Sequence, residues 1–319
     1  MRILATLLLG LSMASAQTPL TGLQVIDTMP VYWRFWDQAK DKTLPEQAAL
    51  FESDVAARYP ELYTAAVLGL GENKSFHDAL AAKYEASATR DRPYTEAMLG
   101  LSHRLQPLLE RCVESFRREF PDFRYEGRIY LLNSLDSFDG AVRPVAGQPS
   151  LLFGVETIAR INRPEADLAP FFHHELFHVY HAQFDSEGRG ELYRALWNEG
   201  LAVYVSRVLN PNAPDEQVFG RPIDMPQRVR AVLPELARQF RENMDSTSPT
   251  EYARYFSGRP PPAAATPEIP PRTGYYLGYL VARQLARRHE LRSLAHATTA
   301  SLRGEIEQAL RAIEQGRSQ

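Results

Sequence analysis

His174-Glu175-Leu176-Phe177-His178 lies inside a longer run, Ala169 to about Asp185, whose apolar pattern is helical. Two histidines at i and i+4 stand on one helical face about one turn apart. Their imidazoles can converge on one tetrahedral cation, and zinc is the ion such ligands suit. Glu175 is rotated by about 100° from His174. It flanks such an ion rather than binding it, where it can take a proton from a water held there. The flanking Phe171, Phe172, Leu176, Phe177 and Val179 are apolar. A buried helix with two imidazoles and a carboxylate on one side needs a partner for them. A packed helix with hydrogen-bonded core histidines is the alternative.

A third ligand must come from elsewhere. Trp197-Asn198-Glu199-Gly200-Leu201-Ala202-Val203-Tyr204 offers Glu199, 21 residues after His178, on a second expected helix from about Glu191 to Leu209. A turn after Gly188 would bring that helix back across the first. A glycine inside a helix costs about 1 kcal/mol relative to alanine, and close approach of the two helices would account for Gly200. Other ligand sets fit less well. A metzincin pattern requires glycine at 181 and histidine at 184, where this chain has His181 and Phe184. Asp185 shares the stripe of His178 but lies about 10 Å further along the axis. Glu187 and Glu191 stay as secondary candidates in or near the turn. His181 reads as packed or facing substrate, and His173 as a capped or solvent-linked side chain pointing away from the metal face.

Around these helices the pattern changes once. From Pro45 to about Phe120 it is mostly helical, with Ala97, Leu101, Leu105, Leu108 and Cys112 at helical spacing. The aromatic cluster Val31 to Trp36 reads as core, and Cys112 as a buried thiol. Arg128-Ile129-Tyr130-Leu131-Leu132 and Ser150 to Val155 read as strands. Gly140, Pro144, Gly147 and Pro149 place a loop between them. Further helices run from about Tyr275 to Arg288 and from about Leu302 to Gln315, after an irregular Pro-rich stretch from Pro260 to Pro271. Helices, a small sheet, then helices indicate a mainly helical α+β fold. The sheet would precede a zincin-like two-helix site, dividing the chain into a helical region 17–120 and a catalytic domain 121–319.

The chain has 319 residues, 44% hydrophobic and 24% charged, with a net charge of −3 and one cysteine. Those values exclude whole-chain disorder, an intramolecular disulfide and a cysteine-based zinc site, and they show no basic excess for nucleic acid. Met1-Arg2, an apolar run from Ile3 to Met13 and Ala14-Ser15-Ala16 form a secretory signal, 1–16, with Gln17 the first mature residue. An exported chain, periplasmic or secreted and without stable membrane insertion, is the expectation.

His174-Glu175-x-x-His178 followed by Asn198-Glu199-Gly200-Leu201-Ala202 resembles the gluzincin zinc metallopeptidases. With Thr273-Gly274-Tyr275-Tyr276-Leu277-Gly278-Tyr279 added, the closest likeness is to a bacterial family of predicted Zn-dependent proteases. It covers residues 125–290 or thereabouts. The resemblance implies His174, His178 and Glu199 as zinc ligands and Glu175 as general base. It also implies a tyrosine that donates to the developing oxyanion, for which Tyr275 and then Tyr276 are the candidates. In such peptidases an edge strand before the zinc helix pairs with an extended peptide or protein substrate. Here that strand would be Ser150 to Val155, with Gly154 admitting a backbone closely. The chain lacks the Gly-Ala-Met-Glu-Asn segment of the aminopeptidase branch, so that activity is not implied. A zinc-binding module without chemistry, and a zinc hydrolase of non-peptide bonds, remain as the other readings of the same residues.

Overall fold

The computed structural model describes residues 23–71, 75–161, 168–186, 190–220, 222–258, 260–264 and 269–317. The expected signal segment and Glu187 lie outside the described residues. The fold is α+β and mainly helical, with one small sheet. Gln24–Asp27 (β1) opens it. Met29–Ala39 (α1), Leu44–Asp54 (α2), Ala65–Leu68 (α3), Phe76–Asp91 (α4) and Thr95–Glu119 (α5) follow. Arg128–Leu132 (β2), Gly140–Val145 (β3) and Gln148–Gly154 (β4) complete the sheet. Val155–Ile161 (α6), Ala169–His181 (α7), Leu192–Leu209 (α8), Asp215–Phe219 (α9) and Met225–Glu242 (α10) come next. Pro249–Phe256 (α11), Thr273–Leu285 (α12), Leu291–His296 (α13) and Thr299–Glu314 (α14) end the chain.

The strand order is β1-β2-β4-β3. β1, β2 and β4 run parallel, and β3 pairs antiparallel with β4. Two expectations change here. The segment read as a loop around Gly140 and Pro144 is a strand, joined to β4 by a two-residue turn. Ala146 and Gly147 both have positive φ, 48° and 79°, the conformation that lets such a turn follow the twist of a hairpin. Pro144 is accommodated because β3 is the outer strand, where a missing N–H breaks no ladder. The second correction follows from the first: β4 is interior, and the edge beside α7 is β3. Gly154 admits the protein's own loop, since a Cβ there would stand 2.1 Å from the Phe138 carbonyl oxygen.

The N-terminal segment is joined to this sheet. β1 pairs with β2 in register Gln24↔Arg128 to Asp27↔Leu131. Thr28 then donates its N–H and its hydroxyl to the Leu131 carbonyl, at 2.9 and 3.0 Å. The aromatic cluster is core: Tyr32 and Phe35 are buried, with Phe35 packing edge-on against Phe51 and Tyr84. Cys112 is a buried thiol on the inner face of α5. The apolar core runs without a break from α1 to α14. Among the described residues, no helix is long and apolar enough to cross a membrane.

Candidate metal centre

α7 carries its site on a narrow stripe. Phe171, His174, Glu175 and His178 are partly exposed, while Phe172, His173, Leu176, Phe177, Val179, Tyr180 and His181 are buried. Spacing of three and four places the exposed residues on one face of the helix. Pro170 opens the helix, where its missing N–H has no intrahelical acceptor anyway. α8 is buried on nearly every side, with Leu196, Trp197, Leu201, Ala202 and Val205 in the core. A helix of that kind must be surrounded. Its mid-point, Glu199, therefore enters the site from within the core.

Three ligand atoms meet between the two helices. His174 Nε2 and His178 Nε2 are 3.0 Å apart, and Glu199 Oε2 lies 3.3 Å from each. The set fits a cation. Donors bound at about 2.0–2.1 Å in a tetrahedron are separated by roughly 3.3 Å. His178 Nδ1 donates to Asn198 Oδ1 at 2.8 Å, which leaves its Nε2 lone pair turned toward the triad in the neutral ring. Among the described residues no fourth histidine, cysteine or carboxylate joins the group. A tetrahedral ion held by these three groups would keep one position for a small molecule.

The charges around the triad favour positive charge among its members. Burial pushes His174 down, helped by the neighbouring His178. Burial also opposes a charge on His178, but the Glu199 and Glu175 carboxylates outweigh it and lift the ring to about 9. Glu199 would be raised by burial, yet His178 and His174 hold it well below the carboxylate range. It therefore stands ready as an anionic ligand. Burial lifts Glu175 to about 7, with Asp139 and Glu199 adding to the rise against His178 and Arg272. A carboxylate near neutrality can both accept and return a proton.

A cavity of about 1050 Å³ opens onto the triad. Its walls include Gly140, Ala141 and Val142 of β3, Glu175 of α7, Phe219 of α9, and Arg272 and Tyr275. A Cβ at Gly140 would lie 2.7 Å from the Glu175 carboxyl carbon, so the carboxylate would have to shift to admit one. Tyr275 lines the cavity with its ring stacked near His174, centroids 6.2 Å apart and 28° between planes. Burial, reinforced by Glu199, raises the Tyr275 phenol far above neutrality, so it keeps its proton. Tyr276 is directed elsewhere. Its hydroxyl accepts from Arg230 Nε at 2.7 Å and its ring packs on Phe219, outside the cavity wall.

The remaining described candidates stand away from the triad. His181 Nδ1 donates to the Ala295 carbonyl at 2.8 Å, and its ring stacks on Phe177. His173 is buried rather than solvent-linked, bonded at Nε2 to Ser115 Oγ (2.7 Å) and at Nδ1 to Asn210 Nδ2 (2.8 Å). Asp185 accepts from the Thr299 N–H at 2.8 Å, and Glu191 pairs with Arg194 at 2.7 Å. Gly200 does mark a close helix approach, but to α12 rather than α7. A Cβ there would stand 2.2 Å from the Gly278 backbone. Sequence reasoning assigned no role to Asn198, Gly140 or Arg272. Asn198 was signalled only by adjacency to Glu199. No family model, curated protein or solved structure matches the chain.

Proposed function

We propose that this chain is an exported zinc-dependent metallopeptidase of the gluzincin type, acting on peptide or protein substrates. The observation that carries the reading is the meeting of His174, His178 and Glu199 within 3.3 Å of one another, beside Glu175 on the wall of an open cavity. A purely structural zinc site has no use for an open position or for a carboxylate raised to about 7 next to it.

His174, His178 and Glu199 would hold the ion. Zinc bound there supplies Lewis acidity and makes a water molecule acidic enough to ionise near neutral pH. Glu175 takes the proton of the attacking water and delivers it to the leaving amine. The Tyr275 hydroxyl donates a hydrogen bond to the carbonyl oxygen as it gains negative charge. β3, the edge strand beside Glu175, presents free backbone groups to an extended chain in the cavity.

The test is Glu175→Gln in the zinc-loaded protein, assayed on a mixture of unstructured peptides by mass spectrometry. The expected outcome is full zinc content with cleavage slowed by about a thousandfold or more. Cleavage at the wild-type rate would remove Glu175 from the reaction. Absence of any cleavage by the wild type would favour a zinc hydrolase of other bonds.

A further inference from the structure

Arg124, Arg143 and Arg272 are among the residues that line the cavity. Two of them are engaged by the protein. Arg124 donates to the Pro121 and Phe123 carbonyls at 2.9 and 3.0 Å, and Arg143 to the Ala66 and Val67 carbonyls at 3.2 and 2.9 Å. Arg272 makes no hydrogen bond or ion pair with any described residue, and its Nε is sealed from solvent without an acceptor. Its guanidinium lies 4.2 Å above the centroid of the Tyr275 ring, which fixes the group in place. The backbone holds it there at a cost, since Arg272 has φ 61° in the left-handed region just before α12.

A guanidinium carries five N–H donors in a fork that matches a carboxylate. Asp139, Glu175 and Glu199 act on it only through longer-range charge, which satisfies no directional donor. The same tyrosine ring stacks near His174, so a group held by Arg272 belongs to a chain lying across the triad. We propose that Arg272 binds a carboxylate of the substrate, either the α-carboxylate of a chain end or the side chain of an aspartate or glutamate. The proposal deepens the peptidase reading and rests on it for the word substrate; the carboxylate site itself stands on Arg272 and the cavity.

The experiment uses the mature protein carrying Glu175→Gln, so that peptides bind without turnover, and isothermal titration. Two matched pairs are compared: a peptide with a free C-terminus against its C-terminal amide, and an internal glutamate against glutamine. At least one pair is expected to differ about tenfold or more in Kd in favour of the carboxylate. That preference should fall to within about twofold when Arg272→Gln is added and be partly kept with Arg272→Lys. The pair that responds identifies the source of the carboxylate. No preference in either pair, no peptide binding by a chain that holds zinc, or a preference that survives Arg272→Gln would each overturn the proposal. Carboxylate-dependent binding by a chain that takes up no zinc would uphold Arg272 and reject the metallopeptidase reading.

Discussion

His178 on α7 and Asn198 on α8 are joined by a hydrogen bond of 2.8 Å from Nδ1 to Oδ1. It ties the two helices together and fixes which imidazole nitrogen faces the triad. The neighbouring Glu199 then reaches the same point from the adjacent position of α8. One dipeptide thus supplies one member of the triad and the group that orients another.

Loss of the carboxamide should weaken zinc binding without abolishing it. Asn198→Ala is expected to lower zinc affinity by about 10–100-fold, measured by competition with a chromophoric chelator. Asn198→Asp keeps an acceptor for the Nδ1–H and should lose less. An affinity unchanged in Asn198→Ala would mean that α7 alone sets the ring.

Gly140 leaves the space that the Glu175 side chain uses, and a methyl group there would stand 2.7 Å from its carboxyl carbon. Gly140→Ala should therefore displace the carboxylate while leaving the three ligands in place. The expected outcome is unchanged zinc content with peptide cleavage slowed by about tenfold to a hundredfold, since misplacement on the ångström scale costs rate on that order. Cleavage at the wild-type rate would show that β3 yields without moving Glu175.

Glu156 is fully buried at the start of α6, accepting the Ser134 and Asp136 N–H groups at 3.0 and 2.9 Å. Burial raises it to about 7, against the opposing bonds from Ser134, whereas an unfolded glutamate titrates near ~4.3. Between those values the folded chain keeps a proton that the unfolded chain has released. Stability therefore falls as pH rises through this window, by up to roughly 3 kcal/mol from this group. Glu175 titrates in the same range, so the comparison with Glu156→Gln isolates the contribution. Urea unfolding at pH 5 and pH 8 should show a larger loss in the wild type than in the variant. Equal losses would mean that Glu156 is ionised in the fold throughout.

What could be read from the chain depended on whether a local pattern carried the information. The i, i+4 spacing of His174 and His178 is a property of one helix, so their convergence followed from sequence. Glu199 was legible because it lies on a second helical segment, 21 residues after His178, that a turn could bring back across the first. β3 was missed because Gly140, Pro144 and Gly147 are turn residues by composition, and only its outer position in the sheet makes them compatible with a strand. β1 has four residues, too few to show alternation. The partner of Gly200 lies on α12, a contact between distant segments that spacing within one helix cannot reveal. Arg272 sits in an irregular stretch with no periodicity, and its role depends on the left-handed backbone that aims it.

The central claim is that His174, His178 and Glu199 hold one zinc ion. It is tested most directly by the metal content of the purified protein, by elemental mass spectrometry, for wild type and His178→Ala side by side after exposure to zinc and removal of the free ion. One zinc per chain in the wild type, lost in the variant, is the predicted result. A wild type without metal, or a variant that retains it, would contradict the account.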